Sequence, residues 1–124
     1  MQAEVRVVAV TDDDGQIRDA GLLSAAEAVH RQLRPALPED YAGRLSVIFA
    51  SGGRFVVALR NDVVVGVALW RLVENTYEGR RLYVDDLVSD ESSRSAGVGR
   101  RLLAWLEDRA RGLGCDVLAL DSGV

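Results

Sequence analysis

The sequence predicts an α+β fold: a mixed, mostly antiparallel sheet flanked by helices. Three observations carry this expectation. Residues 55–60, 63–73 and 80–88 are rich in valine and leucine and are separated only by short polar turns, which predicts an antiparallel meander. Two helix-like segments precede the meander, at residues 18–34 and 38–50. A third helix-like segment at 97–111 leads into a strand-like run at 115–120, and that order predicts a helical crossover to a strand parallel to residues 80–88. A length of 124 residues with 48% hydrophobic content suits one compact domain.

Each element has its own signal. Residues 4–10 are valine-rich and read as a first strand. Thr11-Asp12-Asp13-Asp14-Gly15 reads as a solvated turn, because a calcium loop needs acids at alternating positions and a distal glutamate. Within 18–34, Leu22, Leu23, Ala26, Val29 and Leu33 recur at helical spacing, and Pro35 closes the segment. His30 lies on this helix and is read as a surface or cap residue rather than a catalytic one. Pro38, Glu39 and Asp40 open the second, shorter helix. Ser51-Gly52-Gly53 is a loop, Asn61-Asp62 a tight turn, and residues 74–79 a polar turn. Trp70, Tyr77 and Tyr83 read as sheet-face packing before ligand contact. In the last helix Val98, Leu102, Leu103, Leu106 and Ala110 share one face, most charges take the other, and Gly112 or Gly114 ends it.

Composition removes several classes of function. Fifteen Lys and Arg stand against nineteen Asp and Glu, a net charge of −4, so the basic face of a nucleic-acid binder is not expected. One cysteine excludes an internal disulfide and a cysteine metal cluster, and one histidine argues against a histidine metal site. No apolar run reaches the ~18 residues of a membrane span. The start, MQAEVRVVAV, lacks the basic end and long apolar core of a signal peptide. A cytoplasmic protein with no metal and no membrane partner is the expectation.

The chemistry is concentrated in residues 81–101. A strand-like run carries Asp85 and Asp86, a polar turn follows, and Arg94-Ser95-Ala96-Gly97-Val98-Gly99 forms a small-residue loop before a strong helix. A strand feeding such a loop and a helix N-terminus is an anion-binding arrangement. Free backbone N–H groups and the helix dipole favour negative charge, and glycine lets a phosphate approach closely. The order Arg-x-x-Gly-x-Gly, here Arg94, Gly97 and Gly99, resembles the acetyl-CoA-binding signature of the GCN5-related N-acetyltransferase (GNAT) family. Its context is similar too: VDDLV before it, an amphipathic helix after it, then VLALD. The signature occupies the last third of the chain, and the resemblance extends over most of it.

The resemblance implies a β-loop-α-β core that binds acetyl-CoA. Backbone amides of Ser95, Ala96, Gly97, Val98, Gly99 and Arg100, with Arg94, would hold the pyrophosphate. The main chain of Leu87, Val88 and Ser89 would pair with the pantetheine arm as an added strand pairs with a sheet edge. The implied reaction moves an acetyl group to a primary amine of a small molecule or peptide by direct attack, which needs a proton acceptor. YVDDLV is similar to the Tyr-acid-acid segment of the family's diamine acetyltransferases. That likeness implies Asp85 as base and Asp86 as an amine-binding group. Adjacent residues of a strand point to opposite faces, so only one of these acids faces the thioester directly unless a bulge intervenes. The competing view is a pair of acids balanced by arginines such as Arg80 or Arg81. A homodimer is also implied. So are a further helix, two more strands and a tyrosine that protonates the leaving thiolate. The sequence ends at Val124, so the expectation is a single GNAT-like domain over residues 1–124, truncated at its C-terminus.

Other readings are weaker. Gly97-Val98-Gly99 with Asp121 some twenty residues on begins like a dinucleotide fingerprint, but the third glycine position is Leu102 and the first glycine lies well past Val88. A triphosphate loop fails because no Gly-Lys-Ser/Thr follows. The alternative from a different class is a non-catalytic acyl-CoA-binding or dimerisation module of the same fold. The absent C-terminal part favours it, and the paired acids favour the enzyme.

Overall fold

The computed structural model describes residues 4–120. Five strands form one sheet in sequence order: β1 (Arg6–Ala9), β2 (Arg54–Arg60), β3 (Val63–Asn75), β4 (Gly79–Ser89) and β5 (Val117–Leu120). β1 to β4 pair antiparallel, and β5 runs parallel to β4, from Arg81 opposite Val117 to Val84 opposite Leu120. The helices are α1 (Ala20–Leu33), α2 (Tyr41–Ala50) and α3 (Val98–Gly112), with a short 3-10 helix at Glu91–Ala96 ahead of α3.

The meander and the parallel closing strand stand where the sequence predicts them. β1 is shorter than expected, and the polar turn after β4 is wound into the 3-10 helix. Local chemistry explains the boundaries. Asp19 and Asp40 cap α1 and α2, their carboxylates accepting from the backbone N–H of Leu22 and Gly43 at 3.0 Å each. Asn61 and Asp62 both take positive φ, the geometry of a two-residue hairpin turn whose twist matches its strands.

The sheet separates two apolar layers. On one side Leu23, Ala26 and Val29 of α1 and Leu45 and Phe49 of α2 pack on Phe55, Val57, Val67, Leu69 and Val88. On the other, Val98, Leu102, Leu106 and Ala110 of α3 pack on Val56, Ala58, Ala68, Trp70, Leu82 and Val84. Each buried Val, Leu or Phe among them contributes roughly 1.5–3 kcal/mol relative to exposure. Gly66 lets α3 lie this close: a Cβ there would stand 2.5 Å from Val98 Cγ1 and 3.0 Å from Leu102 Cδ1. The contact sets where α3 begins against β3. Among the described residues no helix is long and apolar enough to cross a membrane.

Candidate active site at the β4 bulge and the start of α3

Gly97 joins the 3-10 helix to α3 with φ of 80°, a left-handed conformation that glycine adopts without strain. It is also the N-cap of α3, and no side chain caps the helix there. The first backbone N–H groups are therefore left for another acceptor. Space is available in front of them. A Cβ at Gly97 would meet nothing within 4 Å, and one at Gly99 would meet only Ser89 Oγ at 3.5 Å. Arg94 and Arg100 are exposed beside this turn. An uncapped helix start, two small residues and two exposed guanidinium groups fit a pyrophosphate.

The acids sit on a β-bulge. Leu69 of β3 pairs with Asp86, but its neighbour Trp70 pairs with Val84, so Asp85 is an extra residue of β4. Leu82, Val84 and Leu87 pack on the α3 side, whereas Val88 belongs to the core under α1. Asp86 turns toward α1, where it meets His30 and Arg34. Asp85 pairs with Arg71 at 3.0 Å, and Arg71 lies on the face opposite to its neighbour Trp70. Both acids therefore stand on the α1 side, which strict alternation would have prevented. Among the described residues, pairing of β4 with β5 stops at Val84, just before the bulge.

The partners of the acids differ from the expected Arg80 and Arg81, which pair instead with Glu74 and Glu78. Asp85 is half-buried and shares Arg71 with Tyr83, whose ring centroid lies 5.4 Å from the guanidinium carbon of Arg71 and 5.2 Å from that of Arg81. Asp86 is 7% exposed and has both oxygens engaged: Oδ2 with His30 Nε2 at 2.7 Å, Oδ1 with Arg34 Nε at 2.8 Å. Burial pushes its pKa up, but the hydrogen bonds and charges of His30 and Arg34 outweigh that and hold it below the usual carboxylate range. Asp86 is thus a committed anion, a weaker base than a free carboxylate. Its amine-binding role, expected from the resemblance, would require the amine to share oxygens already bonded to His30 and Arg34.

The expectation that His30 is a surface or cap residue is wrong: it faces the core. It is 1% exposed and bonded at both ring nitrogens, to Asp86 through Nε2 and to the Tyr41 hydroxyl through Nδ1 at 2.8 Å. The Asp86 carboxylate can only accept, so Nε2 carries a proton, and in the neutral ring Nδ1 accepts from Tyr41. Burial first, then the charges of Glu27 and Asp86, push the Tyr41 hydroxyl pKa well above the ordinary phenol range, so Tyr41 stays a donor. The sequence held a signal: Leu23, Ala26, His30 and Leu33 follow helical spacing, which puts His30 on the apolar stripe of α1.

The other singled-out residues lie elsewhere. Asp12 is a turn residue whose carboxylate accepts from the N–H of Asp14 and Gln16 at 2.9 Å each. Trp70 is buried beside Trp105, and Tyr77 is exposed in the β3–β4 turn. A concavity of about 720 Å³ lies between the β1–α1 loop and the C-terminal half of α3, lined by Trp70, Trp105, Arg54 and Arg109 among others, and touches none of residues 94–100. Among the described residues no group of three or more His, Cys, Asp and Glu is placed to hold a metal. Asp121 lies outside the described residues.

Comparison with known proteins bears on the family and the fold. The family model described as "Acetyltransferase (GNAT) family" matches residues 22–124. A 93-residue stretch is 33% identical to glucosamine 6-phosphate N-acetyltransferase 1 of Oryza sativa subsp. japonica, covering 68% of this chain and 56% of that protein. A 73-residue stretch is 38% identical to the IAA acetyltransferase of Azospirillum brasilense, covering 57% of this chain and 44% of that one. The chain thus spans about half the length of the curated relatives it matches. The fold is similar to that of a GNAT family acetyltransferase from Staphylococcus aureus, with a TM-score of 0.78 and 19% identity over 100% of this chain and 89% of the other.

Proposed function

The chain belongs to the GNAT acetyltransferase family, and from that premise we propose that it moves an acetyl group from acetyl-CoA to a primary amine of a small molecule or peptide. The observation that carries this reading is the β4 bulge, which puts Asp85 and Asp86 on one face of the strand that leads, through the 3-10 helix, to an uncapped helix start. The Arg94–Arg100 loop would hold the pyrophosphate on its backbone amides, and the edge formed by Leu87, Val88 and Ser89 would take the pantetheine arm.

In this reading the amine nitrogen attacks the thioester carbonyl carbon. An N–C bond forms, the C–S bond breaks, and the sulfur leaves as a thiolate that takes up a proton from water. The proton lost by the amine goes to the Asp85 carboxylate, directly or through water. Asp85 suits this better than Asp86, since it is accessible and has one partner, Arg71. Asp86 serves on the amine side, as a fixed negative charge that favours a cationic acceptor. The relatives' names, a glucosamine 6-phosphate acetyltransferase among them, support a small-molecule amine. A homodimer in the cytoplasm completes the proposal, and light scattering tests the dimer.

The test is calorimetric titration with acetyl-CoA followed by detection of released thiol with a panel of amino sugars, diamines and peptides. Wild type binds, Gly99→Glu does not, and Asp85→Asn binds but loses roughly 10²–10⁴-fold in turnover, the range for a lost general base. Binding without turnover of any amine would favour the non-catalytic module, which the pairing of Asp85 with Arg71 makes the second reading. No binding by folded wild type would sink the proposal.

A further inference from the structure

The last two turns of α1 reach across to β4 at two places. His30 and Arg34 hold the bulge: His30 Nε2 donates to Asp86 Oδ2, Arg34 Nε donates to Asp86 Oδ1, and Arg34 Nη2 donates to the main-chain oxygen of Asp85 at 3.3 Å. Gln32 holds the far side: its amide donates to Asp90 Oδ1 at 2.7 Å, and its oxygen accepts from the Glu91 N–H at 2.9 Å. Between these anchors lie only Leu87, Val88 and Ser89. The nearer anchor is the better built. His30 and Asp86 are buried, and Tyr41 on α2 fixes the imidazole from behind. A bulge leaves backbone groups out of the regular ladder and has to be held by something else. Here Asp86 and the main-chain oxygen of Asp85 are held by α1 and its C-cap residue Arg34, while the Asp85 carboxylate is held by Arg71 of β3.

We propose that His30 and Arg34, with Gln32, form a bracket that presets the edge of β4 at Leu87–Ser89 to receive the pantetheine arm of acetyl-CoA. This rests on the proposed role of that edge. His30 and Arg34 are positioning residues: they act through the bulge and do not meet the cofactor. The bracket leaves the pyrophosphate site alone, since that site is built on Gly97 and the start of α3.

The two halves of the cofactor therefore report separately. Acetyl-CoA and 3′-phosphoadenosine 5′-diphosphate, which keeps the phosphates and lacks pantetheine, are titrated into wild type, His30→Leu, His30→Gln and Arg34→Leu. In His30→Leu and Arg34→Leu, acetyl-CoA binds roughly tenfold more weakly, the size of about one lost net hydrogen bond, while the nucleotide binds as in wild type. His30→Gln, whose amide can still donate to Asp86, recovers acetyl-CoA affinity to within about threefold, well inside that loss. Arg34 is 42% exposed, so Arg34→Leu decides the matter if His30→Leu does not fold. Equal weakening of both ligands, or unchanged acetyl-CoA affinity in Arg34→Leu, overturns the bracket. Wild type that binds the nucleotide no more weakly than acetyl-CoA overturns instead the assignment of Leu87–Ser89 to pantetheine, and the bracket with it.

Discussion

Leu69 of β3 is paired with Asp86 of β4, and its neighbour Trp70 with Val84, so one residue of β4 has no place in the ladder. That residue, Asp85, brings two consecutive acids to the same side of the sheet. Deleting Asp85 should restore a regular strand and leave Val84 facing α3 and Asp86 facing α1, as now. The variant is expected to unfold cooperatively in urea, with a stability loss of roughly 1–3 kcal/mol, typical of a single disruptive change. Deleting Val84 instead would push Asp85 into its place opposite Trp70, in the apolar layer under α3. An unpaired carboxylate there costs several kcal/mol, and that variant should not fold. Equal behaviour of the two deletions would show that the register is not set as described.

Acid sensitivity should follow Asp86. Its carboxyl is held below the ordinary value of 3.8 in the folded chain, so it binds fewer protons folded than unfolded near that pH. The stability it contributes is present above about pH 4, the unfolded value, and is lost as pH falls through the depressed folded value. Asp86→Asn should be less stable than wild type at pH 7 by roughly 1–3 kcal/mol, the cost of leaving buried partners unsatisfied. Its stability should also fall less steeply between about pH 4 and 2. Asp90, lowered by hydrogen bonds from Gln32 and Ser92, leaves a smaller residual slope because it lies nearer the surface than Asp86 and is better screened by water. Urea midpoints at pH 2.5, 4 and 7 check this, and parallel acid limbs in the two proteins would assign the sensitivity elsewhere.

Most of the frame was legible in the sequence, because local rules decide it. The meander follows from valine runs and short turns, α3 from its four-residue apolar repeat, and the loop from Arg94, Gly97 and Gly99. The bulge was not legible. YVDDLV reads as plain alternation, and only pairing with β3 shows that one residue is extra. The partners of the acids were missed for the same reason: His30 is 56 residues from Asp86, and nothing local joins them. Gly66 gave no warning either. In a strand it reads as a weakness, and only the approach of Val98 explains it.

That approach gives a prediction of its own. Gly66→Ala would place a methyl group within 2.5 Å of Val98 Cγ1, a fully buried side chain with little room to turn. Overpacking of this kind costs roughly 1–3 kcal/mol. The start of α3 must move away from β3 to relieve it, so acetyl-CoA affinity should fall along with the urea midpoint. An unchanged affinity in a destabilised Gly66→Ala would separate the packing of α3 from the cofactor site.

The two glycines of the loop should differ from each other. Gly97 has φ of 80°, which an alanine adopts only at a cost, although a Cβ there would meet nothing within 4 Å. Gly97→Ala should therefore destabilise the free protein by roughly 1–2 kcal/mol through backbone strain alone. Gly99 lies within α3, and its Cβ would make an ordinary 3.5 Å contact with Ser89 Oγ. Gly99→Ala should leave the free protein as stable as wild type or slightly more so, since alanine is the better helix former. If the cofactor's phosphate lies against Gly99, the same variant should bind acetyl-CoA more weakly in spite of its sound fold. Thermal melts with and without acetyl-CoA separate the effects: Gly97→Ala melts lower in both conditions, whereas Gly99→Ala loses only the upward shift the ligand gives. A full ligand shift in Gly99→Ala would place the phosphate away from that residue.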